Sequence, residues 1–114
     1  MPKRIGYKAG PRRKTFIKEW REFRGLSQER LCARLEASGI EMSAAQFSRI
    51  ESGKQPYTQD TLEAIAHALQ TEAASLLMRN PQDPDAIWSI WDQAKPGERR
   101  IIVELAKTVV KTGT

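Results

Sequence analysis

Gln46, Ser48 and Arg49 carry the hydrogen-bonding side chains at the centre of the segment SAAQFSRIESGK, residues 43 to 54, and little else competes with them there. Phe47 and Ile50, three apart, are its only large apolar residues. Ala44 and Ala45 are almost bare, and Gly53 stops the run. Wound as a helix, the segment packs one narrow side inward and leaves the other side outward. The chemistry on that outer side is recognition. Arginine supplies a fork of five N–H donors, glutamine both donor and acceptor, and serine a hydroxyl. The rest of the sequence offers no catalytic constellation. It has one histidine, His67, and one cysteine, Cys32, without paired carboxylates or a glycine-rich phosphate loop. His67 lies between Ala66 and Ala68 and reads as a partly exposed helix residue. No enzyme activity, cofactor or metal site is expected. A single cysteine also excludes an intrachain disulfide and suits the cytosol.

The charge distribution suggests what is recognised. Residues 1 to 34 hold 11 Lys/Arg against 3 Glu, a net of +8, and residues 35 to 114 hold 8 against 11, a net of −3, giving +5 for the 114-residue chain. A basic end on a near-neutral body points to a polyanionic partner such as nucleic acid, ahead of a membrane surface. No apolar run approaches the ~20 residues of a membrane span. The basic N-terminus lacks the apolar region of a secretory signal, so a cytoplasmic, nucleoid-associated protein is expected. The length suits one domain with a short appendage, and single domains of roughly 60 residues already fold without staples.

Residues 1 to 14 read as a basic flexible arm carrying Lys3, Arg4, Lys8, Arg12, Arg13 and Lys14, with too little apolar surface to fold alone. From Thr15 the periodicity becomes helical. Phe16, Ile17, Trp20 and Phe23 form one broad stripe ended by Gly25. Ser27 caps a second helix with Leu31, Cys32 and Leu35 inward, and Gly39 ends it. Ser43 caps the opening segment. Thr58 or Asp60 starts a fourth helix through Leu62, Ile65, Ala66 and Leu69, and a fifth runs from about Glu72 to Met78. After the Pro-rich stretch NPQDPD, two more helices are predicted, Ala86 to Ala94 and about Glu98 to Lys111, split at Lys95-Pro96-Gly97. No alternating β pattern appears, so the fold class is all-α.

Two helices joined by a short linker, the second short with a sparse inner side, look like a helix-turn-helix. The residues REFRGLSQERLCARL, SAAQFSRIESGKQP and TLEAIAHAL resemble the Xre/Cro type of helix-turn-helix domain seen in phage and prophage repressors and many small bacterial regulators. The resemblance covers about residues 15 to 80. It rests on Arg21, Gly25, Leu26, Ser27, Gln28, Leu31, Ser48, Arg49, Ile50, Glu51, Gly53, Lys54, Leu62 and Leu69. It implies a five-helix lambda-repressor-like DNA-binding domain, here followed by a two-helix extension at residues 81 to 114. Two departures stand out. Cys32 replaces the family's usual alanine, and EASGIEM lengthens the turn, so a longer second helix with a corner at Gly39-Ile40 is expected.

The resemblance also implies roles. The segment from Ser43 becomes the recognition helix, whose N-terminal residues face base edges in the major groove. Ala44 and Ala45 allow close approach and methyl contact with thymine, and Arg49 can grip guanine O6 and N7 bidentately. Gln46 reaches a base or a phosphate, and Ser48 is a weaker reader. Gln28 and Ser43 lie at helix N-termini that favour a phosphate. Lys54, Gln55, Tyr57 and Thr58 would grip the backbone, which positions the protein without specifying sequence. Arg21 and Glu51 would form an ion pair, either buried and structural or a solvated surface contact. The arm either enters a groove or is a solubilising tail.

Ile87, Trp88 and Trp91, then Ile102, Leu105 and Val109, give the extension an apolar arc wider than one-sided packing needs. A homodimer held by these residues is expected; the alternative is that they complete the monomer's own core. A two-fold dimer implies an inverted-repeat operator with half-sites roughly 34 Å apart. The function these features imply is sequence-specific binding of double-stranded DNA by a transcriptional regulator, acting as a repressor. The competing reading is the antitoxin of a toxin–antitoxin module, which binds its own promoter and a toxin protein. RNA is disfavoured, because a single helix suits the B-form major groove and not the narrow A-form one. The extension is too short for a ligand-sensing domain, and no small-molecule ligand is expected.

Overall fold

The computed structural model describes residues 14 to 112. Among them are seven helices and no strand: α1 (Ile17–Phe23), α2 (Gln28–Ala37), α3 (Ala44–Glu51), α4 (Gln59–Ala68), α5 (Ala73–Met78), α6 (Ile87–Gln93) and α7 (Pro96–Thr112). Ile17, Leu31, Leu35, Phe47, Ile65, Leu69 and Leu76 are fully buried; all but Leu69, the C-cap of α4, lie within α1 to α5, so every one of the first five helices reaches a shared core. α2 packs on both α3 and α4, α4 on α5, and α5 on α1. The ends of this unit are tied together. Phe16 N–H donates to Leu76 O at 2.6 Å, and Trp20 Nε1–H is shared between Ser75 O (3.1 Å) and Arg79 O (2.9 Å).

α1 does not bury its whole predicted stripe. Ile17 and Trp20 are buried, but Phe23 is 52% exposed. The helix is only seven residues long, and at about 100° per residue Phe23 has rotated well off the line of Ile17. It packs edge-on against Trp20, with ring centroids 5.8 Å apart, and the Arg24 guanidinium lies over both rings.

The lengthened connection between α2 and α3 is anchored, not loose. α2 ends at Ala37 with Ser38 as cap. Gly39, at φ 92°, donates to Glu36 O, and Ile40 donates to Leu35 O, the paired bonds of a Schellman motif. Ile40 and Met42 then pack against the core, so the extra residues carry their own apolar anchors. α4 ends in the same motif through Gln70 N–H to His67 O and Thr71 N–H to Ala66 O. There the left-handed position is filled by Gln70 at φ 57°, not by glycine. Arg24 and Arg34 take up the remaining carbonyls at this corner: Arg24 donates to Leu69 O (2.8 Å) and Gln70 O (3.1 Å), and Arg34 to Ala68 O (3.0 Å).

The last two helices are organised differently. Trp88 and Trp91 are not core residues. Arg79 lies 4.1 Å over the Trp88 ring, and Arg99 5.2 Å over Trp91 while donating to Trp91 O. α7 starts two residues earlier than the sequence suggests, at Pro96. Proline suits the first helical position, where its missing N–H is not needed, and Glu98 accepts from Lys95 N–H at 2.8 Å. Arg100, Glu104, Lys107 and Lys111 line one side of α7. The other side stays open: Ile101, Leu105 and Val109 are 61 to 65% exposed, while Ile102 is half-buried; Val110, 81% exposed, flanks the charged side. No helix among the described residues is long and apolar enough to cross a membrane.

Candidate nucleic-acid interface

α3 is a short helix fixed at both ends. At its start Ser43 Oγ accepts from Gln46 N–H, and Gln46 Oε1 accepts from Ser43 N–H, both at 3.1 Å, forming a capping box. At its end Gly53, at φ 81°, donates to Ile50 O, and Lys54 donates to Arg49 O at 2.8 Å. Only a residue free to adopt positive φ closes this turn without strain. Between the caps Phe47 is 0% and Ile50 3% exposed, so two side chains seat the helix on the core. Replacing Phe47 with alanine would unseat it at a cost of about 3–5 kcal/mol.

Opposite those anchors, Ala45, Gln46, Ser48 and Arg49 are exposed and Ala44 is half-buried. The side is narrow and nearly free of bulk, which is what a helix needs to enter a groove about 12 Å wide. Not every polar group on it is idle. Gln46 spends its carbonyl oxygen on Ser43 N–H, which leaves its NH₂ group as the outward donor. Arg49 Nε–H donates to Gln55 Oε1 at 3.0 Å.

The helix is held at its rear by a charge cluster. Arg21 donates to Glu51 through Nε (2.7 Å) and Nη2 (3.1 Å), and through Nη1 to Leu26 O (2.9 Å). The side chains of Arg21 and Glu51 are 13% and 7% exposed. Gln28 Nε2 donates to the same carboxylate at 2.9 Å, so Gln28, read from the sequence as a phosphate ligand, also ties the start of α2 to the end of α3. The hydrogen bonds that Arg21 donates to Glu51 raise the Arg21 pKa further, against the opposing effect of burial. The result is a bidentate, desolvated pair that fixes α3 relative to α1 and α2.

The flanking residues fall into distinct places. Lys54 is exposed just past α3; Gln55 and Tyr57 are half-buried, with Tyr57 packed against the core. Thr58 caps α4, its Oγ1 accepting from Thr61 N–H. Lys14 is exposed and pairs with Glu19 at 3.3 Å. Lys3, Arg4, Lys8, Arg12 and Arg13 lie outside the described residues. Ile87, Trp88 and Trp91 belong to α6, and Ile102, Leu105 and Val109 to α7.

Sequence reading missed the structural arginines. Arg24 and Arg34 count toward the basic end of the chain, yet both bind carbonyls at the end of α4. No local pattern signals this, because the arginines and the carbonyls they bind lie 34 to 46 residues apart in sequence.

Comparison with curated proteins and with solved structures finds no match. Comparison with protein families gives a match to the model described as "Helix-turn-helix domain" over residues 15–77. That span runs from the start of α1 through most of α5 and contains the whole α2–α3 unit with its cluster at Glu51. The match fits an Xre-like family, and the chain belongs to the helix-turn-helix domain family.

Proposed function

We propose that this protein is a sequence-specific, double-stranded-DNA-binding transcriptional regulator of the phage-repressor type, cytoplasmic, acting as a repressor from an inverted-repeat operator. The observation that carries this reading is the outward side of α3, where Ala45, Ser48 and Arg49 are exposed on a helix clamped by caps, core and ion pair. Small residues bring the backbone near the base edges, and Arg49 supplies a guanine-reading fork. Lys54 and the amide group of Gln55 take the adjacent phosphates, and Gln28, Ser43, Tyr57 and Thr58 line the same approach. Residues 1 to 14 form a basic arm that adds phosphate contacts; 15 to 80 form the DNA-binding domain; 81 to 114 form a dimerisation extension.

The dimer assignment draws on α7. Arg100, Glu104, Lys107 and Lys111 share one side of it, and the opposite side exposes Ile101, Leu105 and Val109, with Glu98 at its start. A second copy of the same helix offers a matching, mainly apolar surface, and a two-fold axis makes the contact self-complementary. The antitoxin reading uses the same exposed apolar side for a toxin. It is favoured if a small partner protein co-purifies in fixed ratio.

The test is binding to a duplex enriched from a random library by the full chain, followed by sedimentation. The full chain binds the enriched duplex with a higher affinity than random duplex and sediments as a dimer. Truncation after Pro81 gives a monomer with weaker operator binding. Deleting residues 1 to 13 lowers the log–log salt slope by about 0.9 per lost phosphate contact. A chain without preference for any duplex contradicts the reading, and a truncated chain that stays dimeric contradicts the role of the extension.

A further inference from the structure

We propose that Gln55 is a positioning residue that determines how Arg49 reads its base, by occupying the inner edge of the guanidinium and leaving only its two terminal amino groups to the duplex. This rests on the DNA reading of α3 above. Arg49 and Gln55 are joined twice. Gln55 N–H donates to Arg49 O at 3.1 Å, and Arg49 Nε–H donates to Gln55 Oε1 at 3.0 Å. The first bond is a consequence of the turn at Gly53, which folds the chain back over the end of α3 and also brings Lys54 N–H to Arg49 O. The main chain of Gln55 is therefore fixed relative to Arg49, and the side chain is half-buried. Its oxygen, the only acceptor of the amide, must be the end that faces Nε–H, since two donors would otherwise meet.

The consequence for recognition is chemical. A guanidinium can grip guanine O6 and N7 along the edge made of Nε and one Nη, or end-on with both Nη groups. With Nε–H given to Gln55, the end-on grip is the one available. The same bond orders a long side chain before DNA arrives, so less freedom is lost on binding. Gln55 thus acts on specificity through Arg49, and its own NH₂ group remains for a phosphate.

The test measures discrimination and not affinity alone. The probe is the duplex enriched by the wild-type chain, together with single base-pair substitutions and 7-deazaguanine replacements of it, and a random duplex as reference. Arg49→Ala identifies the base pair read by Arg49 by abolishing discrimination there, a loss of roughly 5- to 150-fold, as expected for one bidentate pair worth about 1–3 kcal/mol. Gln55→Ala lowers discrimination at that same position by about fivefold, the size of one hydrogen bond, on top of a uniform loss of affinity for every duplex from the missing phosphate contact, and leaves the melting temperature near wild type. Gln55→Glu, which still accepts from Nε–H, restores discrimination at that position despite weaker binding to every duplex. The proposal is overturned if Gln55→Ala weakens all duplexes equally and flattens the salt slope, since Gln55 would then only hold phosphate. It is also overturned if Gln55→Glu discriminates no better than Gln55→Ala. A wild-type chain that enriches no duplex overturns the DNA reading itself, a result distinct from either of these.

Discussion

Glu51→Ala removes the acceptor on which the rear of α3 depends. The carboxylate takes three hydrogen bonds, from Arg21 at 2.7 and 3.1 Å and from Gln28 at 2.9 Å, and its side chain is only 7% exposed. Alanine leaves the Arg21 charge with the Leu26 carbonyl as its remaining protein partner in that cluster. Breaking a buried pair by removing one partner costs about 3–5 kcal/mol. Arg21 is 13% exposed and keeps some access to water, so the lower end, about 3 kcal/mol, is expected. For a domain of this size each kcal/mol moves Tm by roughly 4–8 °C, so the drop is about 12–24 °C. Urea unfolding followed by circular dichroism at 222 nm should give a lower midpoint with an unchanged slope. The double change Arg21→Met with Glu51→Leu, which removes both charges and fills the site, should recover most of the loss. A decrease below about 1 kcal/mol for Glu51→Ala, the level of a solvated surface pair, would refute the desolvated cluster.

Gln70→Gly should stabilise the protein. It relieves a left-handed backbone at φ 57° worth about 1–2 kcal/mol, less about 0.5–1 kcal/mol of extra chain freedom when unfolded, a net gain of about 0.5–1 kcal/mol in thermal or urea melts. Ser43→Ala breaks the capping box of α3 and should cost about 0.5–2 kcal/mol, with a proportionately larger loss of amide-exchange protection in α3 than elsewhere. Burial raises the pKa of the Cys32 thiol, so the folded chain keeps that proton to higher pH than the unfolded chain. Thiol reagents should label Cys32 slowly when folded and quickly in urea. The same shift should erode stability as pH rises past the ordinary thiol value of about 8.5.

The all-helical fold was legible because its signals are local. Ser27, Ser43 and Thr58 cap the helices that follow them, and Gly39 and Gly53 close the helices before them. Periodic apolar residues then named most of the core, from Leu31 and Leu35 to Ile65 and Leu69. Phe23 escaped that reading because a stripe drawn over seven residues does not say which edge the core covers. Trp88 and Trp91, expected at a dimer contact, are each covered on one side by an arginine, a pairing across elements that residue bulk does not reveal. Within the interface, spacing identified which residues share the outer side of α3. It could not reveal how they spend their hydrogen bonds, since the pairings of Gln28 with Glu51 and of Arg49 with Gln55 join separate elements across a turn. Charge counting was coarse, because Arg24 and Arg34 add to the basic end although both serve the end of α4.

Sequence recognition by this protein depends on α3 entering duplex DNA by its small-residue side. The most direct measurement is amide chemical-shift mapping of the full chain titrated with its own enriched duplex, using random duplex as reference. Ala44, Ala45, Ser48 and Arg49 should shift with the enriched duplex beyond the response to random DNA, while Phe47 and Ile50 move little. Shifts confined to α6 and α7, or identical for both duplexes, would contradict the account.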